Sequence, residues 1–131
     1  MADHPNVDLM KKGYAAFAGG DLDTLKELFA DDIVWHNPGD SIISGDYKGR
    51  DEVFALFGKL VQETGGTFRL DVHDILANDE HAVALARVHA ERNGKVEDQN
   101  VVHVFHVKNG RVTEFWAMSE DQAAADAVFA P

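Results

Sequence analysis

Apolar residues follow a helical period in the first half of the chain and a period of two in the second half. Apolar residues at intervals of three and four predict three amphipathic helices. Their apolar positions lie within residues 7–17, 22–29 and 53–61. Asp21 is well suited to cap the N-terminus of the second helix. The Ala-rich residues 121–129 predict a short fourth helix at the end of the chain.

A short apolar run between the second and third helices ends in polar residues. Residues 33–35 are β-branched or aromatic and predict a strand, which Pro38 stops because proline has no backbone N–H. Alternation along this strand places Trp35 and Asn37 on one face and His36 on the other. The strand therefore either lies at a sheet edge with an exposed His and Asn, or lines a site with its end.

Strict alternation from residue 67 onward predicts an antiparallel meander. A loop over residues 39–49 and the third helix precede it, and its turns contain Asn78, Asn93 and Asn109. Helices followed by a meander are typical of the α+β class, in which the helices pack on one face of a strongly curved sheet. Residues 1–131 are expected to form a single domain, since this length buries a sizeable core. The predicted strands cover residues 68–73, 82–92, 96–107 and 111–119.

The Asn-Gly turns allow two registers, and a one-residue shift reverses which side chains share a face. A two-residue loop pairs Arg92 with Lys95 and puts His89 on the face of Asp98, Asn100 and Val102, whereas a loop with a bulge pairs Glu91 with Lys95. We adopt the bulged register, which also pairs Arg87 with Gln99 and Val83 with His103, and which in the second hairpin sets His103 beside Phe115. It separates a mixed face from a flat apolar face. The mixed face carries Val83, Leu85, Arg87, His89, Gln99, Val101, His103, Phe105, Phe115, Ala117 and Ser119, and the flat face Ala82, Ala84, Ala86, Val88, Ala90, Val102, Val104, Trp116 and Met118.

Composition narrows the range of partners. Asp and Glu number 23 against 12 Lys and Arg, a formal charge of −11, which disfavours nucleic acid and anionic membranes as partners. No apolar run approaches the roughly 18 residues of a membrane span, and the acidic N-terminus is unlike a signal peptide. The absence of cysteine excludes disulfides and a Cys nucleophile and is compatible with a cytoplasmic location, which we expect.

Histidine and arginine supply the chemistry that the chain offers. No pair among the seven histidines has the spacing of a metal site on one helix face, so we expect no metal and no cofactor. Apolar neighbours predict a neutral His103, suited to acid/base chemistry or hydrogen bonding, although a structural histidine satisfied by a backbone carbonyl is the alternative. Arg87 needs an anionic partner, which is either a carboxylate of the protein or one of a ligand.

Several motifs identify a resemblance. Tyr14-x-Ala16-Phe17-x-x-Gly20-Asp21-Leu22-Asp23, Leu28-Phe29-Ala30-Asp31-Asp32-Ile33-Val34-Trp35-His36-x-Pro38-Gly39, Gly49-Arg50-Asp51-Glu52-Val53 and Val107-x-Asn109-Gly110-Arg111-Val112-x-Glu114-x-Trp116 resemble the SnoaL-like branch of the NTF2-like superfamily. The resemblance implies an α+β cone that often dimerises through the outer face of its sheet. It also implies activities as varied as those of ketosteroid isomerases, polyketide cyclases and limonene-epoxide hydrolases.

The resemblance extends only partly to the residues of known members. The base Asp of the isomerases falls at Asn37, their second Asp at His103, and their tyrosine near Tyr14. The epoxide hydrolases are similar at Asn37, which would hold a water, and at Arg87, which would polarise the epoxide. Their two aspartates fall at His89 and Ala117, so neither mechanism carries over as it stands.

The function predicted from the sequence is binding of a small, partly apolar organic molecule inside the cone. If the protein is an enzyme, it is expected to be a cofactor-independent isomerase, cyclase or epoxide-hydrolase-like protein; the alternative is a noncatalytic ligand-binding or dimerisation domain. We expect a homodimer through an outer face that contains Trp116, Met118, Val102 and Val104. The predicted catalytic residues are His103 and Asn37, and the predicted binding residues are Tyr14, Trp35, Arg87, His89, Gln99, Phe105 and Phe115.

Overall fold

The computed structural model describes residues 3–131, which form four helices and six strands. Two helices precede the first strand, one lies between the second and third strands, and one follows the last strand. The helices are α1 (Pro5–Gly19), α2 (Leu22–Leu28), α3 (Arg50–Glu63) and α4 (Gln122–Val128). The strands are β1 (Phe29–Asn37), β2 (Gly45–Lys48), β3 (Arg69–Ala77), β4 (His81–Arg92), β5 (Lys95–Lys108) and β6 (Arg111–Ser119).

The six strands form one mixed sheet in the order β2-β1-β6-β5-β4-β3. Strand β1 runs parallel to β6, and the other neighbours are antiparallel. The helices cover one face, which we call the inner face, and the core lies between them and the sheet. This arrangement confirms the predicted α+β fold. Core side chains include Met10, Leu25, Ile33, Leu56, Phe105 and Phe115.

Local signals placed the helices well. The carboxylate of Asp21 accepts a hydrogen bond from the backbone N–H of Thr24, as expected of an N-cap. Phe29, however, leaves the second helix and begins β1 in an extended conformation. The predicted loop at residues 39–49 also contains strand β2, in which Tyr47 pairs with Trp35. Pairing with β1 makes this segment a strand, and a stretch without its own alternation does not reveal such pairing.

The adopted bulged register is wrong, and the two-residue register is correct. Arg92 pairs with Lys95, and both Asn93 and Gly94 have positive φ angles, 52° and 77°. This is the type I′ turn, whose twist matches that of the flanking strands, and asparagine tolerates the left-handed conformation that the turn requires. The bulge needs only glycine to adopt that conformation, and here both residues do.

In the correct register the side chains of β4 lie on the opposite face from the one predicted, whereas those of β5 and β6 lie on the predicted faces. The alanines of β4 face the core, and Val83, Leu85, Arg87 and His89 lie on the opposite face, which we call the outer face. His103 stays on the inner face because its position follows from β5 itself, and it pairs with Ala84 and Ala117. The predicted neighbour Phe115 pairs instead with Phe105, because the second Asn-Gly turn is also of two residues and the ladder then shifts near Val107.

The positive φ of Gly94 predicts the effect of a substitution. Gly94→Ala forces a Cβ into the left-handed region and should lower the free energy of unfolding by about 1 kcal/mol, measured by urea denaturation. Gly58→Ala is the matched control, since Gly58 lies in the exposed part of α3 with open space around it, and alanine should raise stability there by about 1 kcal/mol. Equal effects of the two changes would contradict the turn assignment.

Candidate functional site

An apolar cavity of about 100 Å³ lies between the helices and the inner face of the sheet. We call it the first chamber. Aromatic rings form much of its wall, and Trp35 stacks on Phe115 with ring centroids 3.7 Å apart. Polar groups enter from Tyr14, Asn37 and His103. The combination of an apolar wall with a few converging polar groups is typical of sites for small organic molecules.

His103 is positioned by strand β5 between small neighbours. Ala84 and Ala117 flank it on the adjoining strands and leave room for the imidazole, which is only 8% exposed. Helix α1 brings Tyr14 against the ring, with its hydroxyl oxygen 2.6 Å from Nδ1 and the two rings stacked at 5.9 Å. The pair therefore joins the N-terminal helix to the centre of the sheet.

Burial keeps both members of this pair neutral. It lowers the pKa of His103 to about 4 and raises the pKa of the Tyr14 hydroxyl above its ordinary value. The hydroxyl hydrogen has no other acceptor among residues 3–131, so we assign Tyr14 as the donor and Nδ1 as the acceptor. A neutral imidazole that accepts at Nδ1 carries its hydrogen on Nε2. Nε2 has no hydrogen-bond partner in the described chain, which leaves it available to a ligand.

Asn37 reaches the same cavity from the end of β1. Its Nδ2 donates to the backbone carbonyl of Ile43 at 3.0 Å, and the hydroxyl of Tyr47 donates to the same carbonyl at 2.8 Å. These bonds fix the amide to the chain that precedes β2. The Asn37 side-chain oxygen remains free to accept a hydrogen bond, since no described residue donates to it.

A second space of about 90 Å³, the second chamber, lies beside the first and shares His103 and Asn37 with it as wall residues. The two chambers share walls formed by the sheet and α3. The second chamber also contacts α4 and is more polar, because Glu97 and Asp126 line it. Sequence reasoning missed Glu97, although its place two residues before Gln99 and six before His103 puts it on the inner face. The shared wall residues are Asn37, Leu60, Phe68, Leu70, His103 and Ala117.

The structure gathers six of the predicted site residues around the first chamber and leaves out three. Gln99 is 7% exposed on the inner face, but it bonds to Glu97 and to the backbone of Asp121 and does not line either chamber. The six that line the first chamber are Tyr14, Trp35, Asn37, His103, Phe105 and Phe115.

Arg87 and His89 lie on the outer face, away from the first chamber, as a consequence of the register. Arg87 donates from Nε to Asp98 at 2.7 Å with its side chain half exposed, so its anionic partner is a carboxylate of the protein. His89 lies 3.6–3.7 Å from the carboxylates of Glu91 and Asp98. The resemblance of Arg87 to the arginine that polarises epoxides therefore has no counterpart in the geometry.

Metal-ligand clusters and membrane-spanning helices are considered for the described residues only. In the part of the chain that follows Ala2, no cluster of three or more His, Cys, Asp or Glu side chains is arranged to hold a metal ion. The helices seen between residues 3 and 131 include none with both the length and the apolar character needed to cross a membrane.

Comparison with known proteins identifies the family. The SnoaL-like domain matches residues 10–115, most of the chain. The protein belongs to the SnoaL-like family. An uncharacterized protein of Mycobacterium bovis is similar over its whole length, with 35% identity over 131 residues, 99% of this chain.

Solved structures place this SnoaL-like protein among the NTF2-like folds. Bal32a, from a soil-derived mobile gene cassette, is 42% identical with a TM-score of 0.90, and the match covers 95% of each chain. An NTF2-like protein of unknown function from Burkholderia pseudomallei is 25% identical with a TM-score of 0.84, covering 96% of this chain and 98% of that one. The fold and family inferred from the sequence motifs are confirmed.

Burial of His103 predicts how stability depends on pH. The unfolded chain binds a proton at this residue below about pH 6.5, whereas the folded chain resists it down to about pH 4, so the contribution to stability is lost as pH falls between these values. The loss is about 3 kcal/mol at most. His103→Gln should flatten the fall in the free energy of unfolding across this range.

The matched control for this measurement is His73→Gln, at an exposed histidine on β3. Urea denaturation at several pH values between 4 and 7 compares each variant with the wild type. The pH dependence of the His73 variant should follow the wild type. A His103 variant with an unchanged pH slope would show that the imidazole is not held neutral by burial.

Proposed function

We propose that the protein binds a small, partly apolar organic molecule in the first chamber and acts on it with His103 as an acid/base group. The observation that carries this proposal is the 2.6 Å contact between Tyr14 and His103 Nδ1 at the wall of an apolar cavity that Asn37 also lines. A histidine needed only for packing has its polar atoms satisfied by the protein or by water, whereas no described residue pairs with Nε2, which lies at a cavity wall.

The roles of the three residues follow from their hydrogen bonds. With hydrogen on Nε2, His103 can donate to a carbonyl or hydroxyl oxygen of the ligand. Nε2 becomes a base that can accept a proton when Nδ1–H donates to the Tyr14 oxygen, and the hydroxyl hydrogen of Tyr14 then needs an acceptor on the ligand. Tyr14 positions the ring in either state, and Asn37 orients a polar group of the ligand or a water molecule.

The size and polarity of the first chamber define the class of ligand. A dry cavity of about 150 Å³ is known to hold benzene, so about 100 Å³ suits a ring of about five carbon atoms or a branched chain. A ketone or aldehyde with weakly acidic hydrogens on the carbon next to its carbonyl is the simplest substrate for a single acid/base group in such surroundings. Cyclopentanone has this shape and chemistry, and it serves as the probe.

Exchange of the α-hydrogens of cyclopentanone in deuterated water tests the proposal. The wild type should speed the exchange, followed by proton NMR, and His103→Gln should slow it at least about tenfold because a glutamine side chain cannot accept a proton from the ligand. Binding, followed by ligand-induced NMR shifts, should change much less in His103→Gln. Asn37→Ala should weaken both binding and exchange, because the amide orients the bound molecule.

The exposed His73→Gln variant is the control, and it should match the wild type in both measurements. The rival function is noncatalytic ligand binding, which the deep burial of His103 also favours. Binding of cyclopentanone without faster exchange would support the rival. A wild type that neither binds nor exchanges the probe would contradict the proposal.

We also propose that the protein forms a homodimer through the outer face of the sheet. Val83 and Leu85 join the predicted patch there, because the register turns them outward, and Met118 is 54% exposed. Trp116 is only partly buried and stacks on His36. A contiguous apolar patch of this kind on a sheet commonly marks an interface between subunits.

A charged rim supports this assignment. His36 lies between Asp46 and Glu114, with its ring nitrogens 2.7 and 2.6 Å from their carboxylates. Hydrogen bonds to Glu114 and then Asp46 raise the pKa of His36 above its ordinary value. Apolar centres with polar rims are typical of protein interfaces.

Trp116→Glu should convert the dimer into a monomer, measured by sedimentation velocity at micromolar concentration, because it puts a charge into the apolar patch. Leu22→Glu is the matched control, since Leu22 is 45% exposed on α2, far from the outer face in the fold, and should leave the mass unchanged. A monomeric wild type would rule out the interface.

A further inference from the structure

The second chamber differs from the first in the groups that line it. Strand β5 contributes Glu97 and helix α4 contributes Asp126, while the loop before β2 contributes Ser41. No lysine or arginine is among the described residues that line this space. The second chamber is therefore rich in acceptors and lacks a cationic partner.

Glu97 is held in a fixed position at the wall of the second chamber. It is 4% exposed, and its Oε2 accepts a hydrogen bond from Nε2 of Gln99. Gln99 is itself fixed, since its Nε2 donates to the backbone oxygen of Asp121 at 3.0 Å and its Oε1 accepts from the backbone N–H of Asp121 at 2.7 Å. The second carboxylate oxygen, Oε1, has no hydrogen-bond partner in the described chain.

Asp126 adds a second acceptor to the same space. Its Oδ1 accepts from Nε2 of Gln122 at 3.0 Å, and both side chains line the second chamber. Burial and then the nearby negative charge of Asp126 raise the pKa of Glu97, against the bond from Gln99. Two carboxyl groups that face one cavity favour a group that donates hydrogen bonds to them.

His103, a residue that lines both chambers, carries a polar atom without a described partner. His103 is more than nine-tenths buried and lines both chambers, and its Nε2 has no partner in the part of the chain described. A ligand bound at His103 would therefore have the apolar first chamber on one side and the acidic second chamber on the other.

We propose that the second chamber binds the hydrogen-bond-donating end, a hydroxyl or an ammonium group, of a ligand whose apolar part occupies the first chamber. Glu97 is the principal acceptor and Asp126 assists it. This inference rests on the proposed function, because it adds a feature to the ligand that reaches His103: a hydroxyl or ammonium group at the end of its small apolar part, rather than a carboxylate or a phosphate. Anionic ligands are excluded by the two carboxyl groups.

Three compounds with one shared ring test the assignment on the wild-type protein. Cyclopentylmethylamine and cyclopentylmethanol carry an ammonium and a hydroxyl donor, and ethylcyclopentane carries none. At least one of the two donors should bind about tenfold more tightly than ethylcyclopentane, measured by NMR titration, because it satisfies Glu97. This comparison requires no variant.

Substitutions at Glu97 assign the preference to a residue and separate the two kinds of donor. Glu97→Met has similar length without an acceptor and should abolish the preference for either donor. Glu97→Gln removes the charge and, because its amide oxygen accepts from Gln99, turns an NH2 group toward the chamber. It should abolish the preference for the amine, which can only donate, and leave part of the preference for the alcohol, which can also accept. Asp126→Asn is a second variant with less structural risk, since Asp126 is only partly buried, and it should reduce the preference for the amine.

Glu27→Met is the matched control, at an exposed glutamate of α2, and it should keep the wild-type preference. Equal binding of all three compounds by the wild type would overturn this inference while leaving the proposed function intact. A preference that survives both Glu97→Met and Asp126→Asn would also overturn it. Failure of all three compounds to bind would contradict the proposed function as well.

Discussion

The pairing of β4 with β5 is the constraint on which the interior of this protein depends. The two-residue turn at Asn93 and Gly94 decides which side of β4 faces the helices, and it turns a row of small side chains inward. Alanines at these positions leave space above the sheet that larger residues would fill. Had the register differed by one residue, Leu85 and Arg87 would occupy that space, and the guanidinium would lack Asp98 as its partner.

Polar groups that lie inside this space lower the stability of the fold unless they form hydrogen bonds. Leaving a buried polar group without a partner costs about 1–3 kcal/mol. Tyr14 and His103 satisfy most of each other's requirements, as do Glu97 and Gln99. One atom of each pair is left over, His103 Nε2 and Glu97 Oε1, and both belong to side chains that line the chambers. Unused capacity in such positions is more consistent with ligand binding than with a purely structural role.

Much of the fold could be predicted from the sequence, because it depends on local patterns. The three N-terminal helices, the end of β1 at Asn37 and the faces of β5 and β6 follow from periodicity along single elements. The face of β4 does not, because the Asn-Gly turn permits two loop lengths that differ by one residue. The row of alanines at 82, 84, 86 and 90 did not decide the face, since small residues suit the inner wall of a cavity as well as a flat interface.

The residues predicted for the site meet at one cavity only where they come from strands or helices whose faces do not depend on the register of β4. Tyr14, Asn37 and His103 come from α1, β1 and β5, and they meet at the first chamber. Arg87 and His89 come from β4 and lie outside it. Glu97 was missed for another reason: a glutamate near the end of a strand is usually solvated, whereas this one is 4% exposed at the wall of the second chamber, which α4 also lines. The polarity of the second chamber is therefore a property of tertiary packing rather than of β5 alone.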